Sequence, residues 1–217
     1  MKVIELDGMN LEVTHHKLSN GLKVVVAPVP YKTNYMITYG VRYGSIGTKF
    51  TCGKDKYIVP DGVAHFLEHK LFESSEGEGP FAFYSKTGSH CNAATTYHNT
   101  RYYCMGSSHF AENLKYLLKF VNEPYFTHEN VEKEKGIIEE ELKMYMDQAE
   151  YALEMKLRDN LYHTSNRRID IGGSIESINQ ITEKDLYDAY HAFYTPSNMF
   201  LIVVGCVSVE EDRKSVV

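Results

Sequence analysis

Two histidines one helical turn apart, with a glutamate beside the second, form the pattern in this sequence that is best suited to chemistry. The run is His65-Phe66-Leu67-Glu68-His69. Residues four apart on a helix lie on one face, so both imidazoles can reach the same metal ion. Zinc binds neutral imidazole nitrogens, and a nearby carboxylate can hold the water at its open position. The pattern therefore predicts His65 and His69 as metal ligands and Glu68 as a catalytic base. The alternative is an ordinary solvated helix face.

A catalytic zinc needs a third protein ligand, and the helical pattern at 127–146 offers one. Winding these residues at roughly 100° each places Glu134 and Glu141 within an apolar stripe. A carboxylate that faces a core is costly unless it is paired, hydrogen-bonded or bound to metal. We therefore predict Glu141 as the third ligand and Glu134 as a group that orients a ligand. The alternative is that both acids pair with lysines or arginines at a packing edge. The stripe consists of Val131, Ile137, Ile138, Leu142 and Tyr145.

A segment of small and polar residues, Gly88 to Thr96, reads as a strand. Small side chains on an edge strand let an extended peptide add itself as a further strand, held by main-chain hydrogen bonds. The segment therefore predicts a substrate cradle. A solvated edge strand kept polar against aggregation explains the same residues.

Hydrophobic spacing and turn residues predict the elements that position these groups. Asn20-Gly21 between two β-type runs predicts a hairpin over residues 10–28. Asp61 is expected to cap the helix with the two histidines, after a loop from Gly44 to Pro60. Strands followed by helices and a last strand favour an α+β fold, with a mainly antiparallel sheet and helices packed on one face. The remaining expected elements are strands at 33–43, 89–96, 100–106 and 199–207, helices at 81–87, 109–122, 149–163 and 182–193 (with Asp185 in a capping box), and a connector at 169–178.

Charge and composition argue against two classes of partner. A net charge of −6 with scattered lysines and arginines opposes binding to nucleic acid. The apolar run at 200–207 contains a glycine and is far shorter than the roughly 20 residues that span a bilayer, so no membrane span is expected. Four cysteines form no C-x-x-C pair, and residues 1–10 contain no apolar core like that of a secretion signal. We expect a reducing, cytoplasmic setting.

Taken together, these segments resemble the insulinase/pitrilysin family of inverted-motif zinc peptidases, which includes the mitochondrial processing peptidase. The resemblance covers about residues 14–207, and its bacterial processing-peptidase-like members are the most similar in pattern. The matching segments are 65–69 (HFLEH), 134–141 (EKGIIEEE), 92–95 (NAAT) followed by 100–103 (TRYY), 172–178 (GGSIESI), 194–199 (YTPSNM), 59–62 (VPDG) and 132–135 (EKEK).

The resemblance implies a zinc-dependent metalloendopeptidase that hydrolyses extended peptides. Family members pair two homologous α+β halves into a clamshell, and this chain supplies one half at residues 1–211, before a non-native or disordered tail at 212–217. An arginine and a tyrosine that help to hold the substrate come from the other half, so full activity requires that half on the same chain or a partner subunit. The implied site consists of the zinc ligands His65, His69 and Glu141, the base Glu68, the supporting Glu134, and Asn92 and Ala93 against the substrate main chain.

One departure from the family pattern and two rival functions remain. The chain has one residue more between its Asn-Ala and Thr-x-Tyr-Tyr elements than many relatives, which affects the strand connection and not the ligands. One rival is a non-catalytic structural or peptide-recognition subunit of a peptidase-like assembly. The other is a metal-binding regulatory domain that hydrolyses nothing.

Overall fold

A seven-stranded sheet forms the centre of the protein. The computed structural model describes residues 2–6, 11–75 and 77–207. The strands are Lys2–Leu6 (β1), Leu11–Lys17 (β2), Lys23–Pro28 (β3), Tyr35–Val41 (β4), Lys49–Cys52 (β5), Asp55–Ile58 (β6), His90–Thr95 (β7), Thr100–Gly106 (β8) and Met199–Gly205 (β9). The order in the sheet is β1-β2-β3-β9-β4-β8-β7, while β5 and β6 form a separate hairpin. Only the β3–β9 pair is parallel among the described strands, so the predicted mainly antiparallel sheet is confirmed.

Seven α-helices connect the strands in the described part of the chain. The largest gap between strands of the main sheet, from β8 to β9, contains five of them, which matches the predicted change from strands to helices. The helices are Val63–Lys70 (α1), Pro80–Lys86 (α2), Phe110–Asn122 (α3), His128–Met146 (α4), Ala149–Leu161 (α5), Ile175–Gln180 (α6) and Glu183–Phe193 (α7). None of the described helices is both long and apolar enough to cross a membrane.

The helices cover one face of the sheet. Along β4 and β9 the buried residues alternate with partly or fully exposed ones, so that Ile37 and Val203 are fully buried while Met36 and Val204 are exposed. Alternate residues of a strand point to opposite faces, so one face carries the core and the other remains open. The predicted α+β layer with helices packed on one face is confirmed.

The helix that carries the two histidines begins differently from the prediction. Its N-cap is Gly62 and not Asp61, and no side chain caps the helix. Gly62 adopts φ 93°, a left-handed conformation that glycine reaches without strain. A Cβ at this position would lie 2.4 Å from the carbonyl oxygen of Gly172. A close backbone approach between two segments therefore fixes the start of α1, and the pattern of caps around Asp61 could not reveal it.

Three other expectations need correction. The region from Gly44 to Pro60 contains the β5–β6 hairpin and is not only a loop, because its strands are mostly exposed and lack an apolar alternation. The connector at 169–178 includes the first residues of α6, where Ser174 forms a capping box with Ser177. The buried arc of α4 is also narrower than the predicted stripe, since Ile137 is 48% exposed and Tyr145 37% exposed.

The remaining expected strands and helices agree with the observed ones to within a few residues, including the Asn20-Gly21 hairpin and the Thr182–Asp185 capping box. The tail at 212–217 lies outside the described residues. The half-domain boundary at 211 stays a prediction.

Candidate metal centre

Two helices bring the three predicted ligands together. His65 and His69 lie on α1, and Glu141 lies on α4. The Oε2 atom of Glu141 is 3.8 Å from Nε2 of His65 and 3.3 Å from Nε2 of His69. One ligand atom from each of the three residues lies within 4.8 Å of the others. Residues more than 70 positions apart in the chain thus converge on one point.

The donor set and its spacing fit zinc. Ligands at about 2.0–2.1 Å from a tetrahedral zinc lie about 3.4 Å from each other, close to the two distances to Glu141. The Oε2 atom of Glu141 is buried and makes no well-aligned hydrogen bond, although it lies 3.3 Å from Nε2 of His69. A buried carboxylate oxygen that is poorly hydrogen-bonded is costly, and a cation between the three atoms would remove that cost. Two imidazole nitrogens and one carboxylate oxygen also leave a fourth position open, as in catalytic zinc sites.

Glu134 orients one of the two histidines. Its Oε1 lies 2.9 Å from Nδ1 of His69, so the opposite ring nitrogen of His69 faces Glu141. The Glu134 side chain is 8% exposed and that of His69 is 23% exposed, so this contact is largely shielded from solvent. A carboxylate on the far nitrogen of a metal-binding histidine fixes its tautomer and makes the ligand more basic. Nδ1 of His65, by contrast, is buried without a hydrogen-bond partner.

The two imidazoles differ strongly in acidity when no metal is present. Burial, and then the neighbouring His69, lowers the pKa of His65 to about 4. Burial also acts to lower the pKa of His69, but contacts with Glu134 and Glu141 outweigh it and raise this pKa to about 9. The contact with His69 is the main cause that lowers the pKa of Glu141. At neutral pH the site therefore holds one imidazolium between two carboxylates, and His65 is neutral.

Glu68 lies in the same cavity and bonds to β7 instead of to the histidines. Thr95 Oγ1 donates a hydrogen bond of 2.5 Å to Oε2 of Glu68. Burial raises the pKa of Glu68, and the hydrogen bond from Thr95 opposes that rise. The cavity measures about 410 Å³, and its walls include His65, Glu68, Ala93, Thr95 and Glu141.

The strand β7 forms an edge of the main sheet, as the substrate-cradle prediction requires. Ala93 lines the cavity, whereas Asn92 is exposed. The backbone N–H of Ala93 donates a 2.8 Å hydrogen bond to Oδ1 of Asn92. The structure thus brings Ala93 to the cavity wall and leaves Asn92 beside it, in contact with the Ala93 amide.

A buried lysine ties the two ligand-bearing helices together. Lys70, directly after His69, is fully buried. Its ammonium donates to the carbonyl oxygen of Asn130 at 3.1 Å and pairs with Glu73 at 2.5 Å. Because Asn130 lies in the first turn of α4, this contact ties the C-terminal end of α1 to the start of α4.

Comparison with known proteins shows which family has this arrangement of residues. Residues 59–173, which contain His65, His69, Glu134 and Glu141, match the family model for insulinase (peptidase family M16). The chain belongs to the insulinase family of peptidases. Residues 180–214 match a second model, described as the peptidase M16 inactive domain.

Several relatives of this insulinase-family chain are known. It is 45% identical over 215 residues to the uncharacterized zinc protease YmfH of Bacillus subtilis, a match that covers 97% of this chain and 49% of the relative. It superposes with a TM-score of 0.93 and 37% identity on an M16-like peptidase from Alicyclobacillus acidocaldarius, covering 98% of this chain and 50% of the other. Pitrilysin shares the fold, with a TM-score of 0.79 at 18% identity, over 99% of this chain and 23% of its own. The chain thus spans about half the length of its more similar relatives.

Three residues of the site region were missed by the sequence analysis. Thr95 falls within the predicted cradle but had no assigned role, and its bond to Glu68 joins residues 27 positions apart. Lys70 gave no signal, because a lysine after a histidine pair resembles any exposed helical lysine. Tyr145 was assigned to the core, whereas it lines the cavity together with Glu141.

Proposed function

We propose that this chain is the zinc-binding half of a metalloendopeptidase that hydrolyses extended peptides. The observation that carries the proposal is the convergence of His65 Nε2, His69 Nε2 and Glu141 Oε2 at the wall of a cavity that also contains Glu68. The family and its relatives named as zinc proteases support the same reaction class. In this proposal His65, His69 and Glu141 hold the zinc, and Glu134 orients His69.

The residues of the cavity have complementary roles in peptide hydrolysis. Zinc, when bound, polarises a scissile carbonyl and lowers the pKa of a water molecule. Glu68 accepts the proton of the attacking water on its carboxylate and passes it to the leaving amine. Because burial raises the pKa of Glu68, its carboxylate is a stronger base than an exposed glutamate and is better suited to accept this proton near neutral pH.

The free edge of β7 would bind the substrate as an added strand. Outward-facing amides of an edge strand alternate, so Ala93 and Thr95 face the same side. Ala93 lines the cavity, so its main chain is the pairing point beside the zinc site. The Ala93 N–H is released to a substrate carbonyl once Asn92 turns away from it. Both residues thereby take part in substrate binding.

Full activity would require a second homologous half. The chain covers 49% of YmfH and 50% of the Alicyclobacillus peptidase, and the cavity of this half is open to one side. A second half closes such a cavity and excludes water from the reaction. It is supplied by the same longer chain or by a partner subunit. Location in the cytoplasm stays a prediction from the sequence.

The test combines the chain with the second half of YmfH, the relative with 45% identity. Cleavage of a quenched-fluorescent library of unstructured peptides is measured together with zinc content. Glu68→Gln is expected to abolish cleavage and retain one zinc per chain, while His69→Ala loses the zinc. Glu140→Gln is the matched control, because Glu140 is 75% exposed on the other side of α4.

Two results would contradict the proposal. Cleavage by Glu68→Gln at the unaltered rate would remove Glu68 from the reaction. A zinc-loaded two-half protein that binds peptides without cleaving them would favour the peptide-recognition subunit instead.

A further inference from the structure

Thr95 contacts the carboxylate of Glu68 through its hydroxyl. This hydroxyl donates a hydrogen bond of 2.5 Å to Oε2. A hydrogen bond to an ionised carboxylate is shorter and stronger than one between neutral groups, so it restrains the Glu68 side chain. The other oxygen, Oε1, receives no hydrogen bond from a described residue.

The Thr95 hydroxyl has a single proton, and it donates this proton in the hydrogen bond to Glu68. Thr100 Oγ1 lies 3.4 Å from Thr95 Oγ1, but Thr100 donates its own proton to the carbonyl oxygen of Tyr43 at 3.1 Å. The Thr95 hydroxyl lies closer to Glu68 than to Thr100, so the Glu68 carboxylate determines the direction in which the Thr95 hydroxyl proton points. Threonine at this position also suits a strand, because a β-branched side chain has few rotamers.

We propose that Thr95 is the positioning residue of the catalytic base: it holds Oε2 of Glu68 in place, so that Oε1 faces the cavity to receive the proton. This role rests on the proposed peptidase function. It also couples the base to the substrate, because Thr95 lies on the same strand as Ala93, two residues along the edge that pairs with the peptide. A substrate peptide that pairs with β7 is thereby placed beside a Glu68 carboxylate whose orientation is already fixed.

Four substitutions separate positioning of Glu68 from simple strand stability. Thr95→Val keeps the β-branched shape and removes the hydroxyl, and Thr95→Ser keeps the hydroxyl. Thr96→Val is the matched control, because the Thr96 hydroxyl bonds only within the turn at 96–99 among the described contacts. Thr95→Ala makes the same comparison as Thr95→Val in case the valine variant does not fold.

The first readout needs no catalysis. Benzohydroxamic acid binds zinc through two oxygens and gives up a proton that an adjacent carboxylate can hold, so its affinity reports where Glu68 lies. On the zinc-loaded chain, measured by calorimetry, Thr95→Val is expected to weaken this affinity by about fivefold to tenfold. Thr95→Ser and Thr96→Val are expected to stay within about twofold of the unaltered chain, and every variant keeps one zinc.

The second readout is turnover by the chain combined with the second half of YmfH. Loss of one hydrogen bond to a charged group is expected to lower kcat of Thr95→Val by about tenfold to a hundredfold, with KM within about twofold. Thr95→Ser restores kcat to within about threefold.

Three outcomes would overturn the inference that Thr95 positions Glu68. If Thr95→Val matches the unaltered protein in kcat and in hydroxamate affinity while Glu68→Gln loses both, Glu68 is the base and Thr95 does not position it. If Thr95→Val loses zinc or raises KM instead of lowering kcat, its role is structural. If Glu68→Gln changes neither readout, the proposed function itself fails and the role of Thr95 fails with it.

Discussion

Glu134→Gln in the metal-free chain tests the electrostatics of the site directly. The contacts of His69 with Glu134 and Glu141 raise its pKa from 6.5 to about 9. A group whose pKa is raised by folding stabilises the folded state fully below its unfolded pKa, and this stabilisation is lost as the pH rises through the folded value. The metal-free chain is therefore expected to lose stability between pH 6.5 and 9.

The size of that loss follows from the shift. For one group, linkage between these two pKa values gives at most about 2.6 kcal/mol across the window. The His69 side chain is 23% exposed, and solvent screening reduces the expected loss to about 2 kcal/mol. Glu134→Gln removes one of the two carboxylates and leaves Glu141, so we expect about half of this, or about 1 kcal/mol.

Urea unfolding of the EDTA-treated chain at pH 6.5 and pH 9 measures the difference. Urea is uncharged and leaves the ion pairs unscreened, and a slope of about 2 kcal/mol per molar turns these losses into midpoint shifts of about 1 M and about 0.5 M. Glu140→Gln, an exposed glutamate on the same helix, should behave like the unaltered chain. Saturating zinc should abolish the window, because a metal-bound Nε2 carries no proton. Equal losses in the unaltered chain and in Glu134→Gln would refute the reasoning.

Two further predictions concern the helices that carry the ligands. Gly62→Ala is expected to cost at least about 2 kcal/mol, since a Cβ would lie 2.4 Å from Gly172 O at a positive φ, whereas Gly53→Ala, with a positive φ but open space around it, should cost about 1 kcal/mol in the same urea assay. A smaller cost for Gly62→Ala than for Gly53→Ala would contradict the close approach. Ile138→Ala should cost about 2–5 kcal/mol and Ile137→Ala less than about 1 kcal/mol, because Ile138 is fully buried and Ile137 is 48% exposed; thermal unfolding would expose an error in the face of α4 if the order were reversed.

The sequence predicted those parts of the fold that a local signal marks, such as a run of strand-forming residues or a characteristic turn. The buried strands β4 and β9 are rich in β-branched and aromatic residues, and the hairpin at Asn20-Gly21 has a turn that few other residues form. The β5–β6 hairpin was missed because most of its side chains are exposed, so no apolar alternation marks it. A local hydrophobic pattern arises from burial, so a strand whose side chains are mostly exposed has no such pattern.

The α4 helix shows where a helical wheel stops being informative. The wheel placed Glu134 and Glu141 correctly among buried neighbours. It also placed Ile137 and Tyr145 in the core, but in the structure both are exposed. It gave no reason to bury Lys135, whose ammonium reaches the carbonyl oxygen of Asn179 at 3.2 Å. The position of α6 decides that contact, and no residue of α4 encodes it.

Contacts between distant segments account for the rest of what the sequence could not predict. The spacing of His65 and His69 is local, so the motif is visible in the chain itself. The bond from Thr95 to Glu68 and the contact from Lys70 to Asn130 join separate elements, and neither pair has a periodic signature. Their partners become known only when the strand order and helix packing are known.

These distant contacts give the metal-free site a defined shape. Lys70 fixes α1 against the first turn of α4, and the His69 ring lies between Glu134 and Glu141 on that helix. With a pKa of about 9, His69 is protonated at neutral pH, so its positive charge holds the two carboxylates before any metal arrives. A zinc ion at this site would take the place of the Nε2 proton and would meet two carboxylates that are already in position. The raised pKa of His69 and the proposed binding of zinc thus have one cause, the carboxylates on either side of one ring.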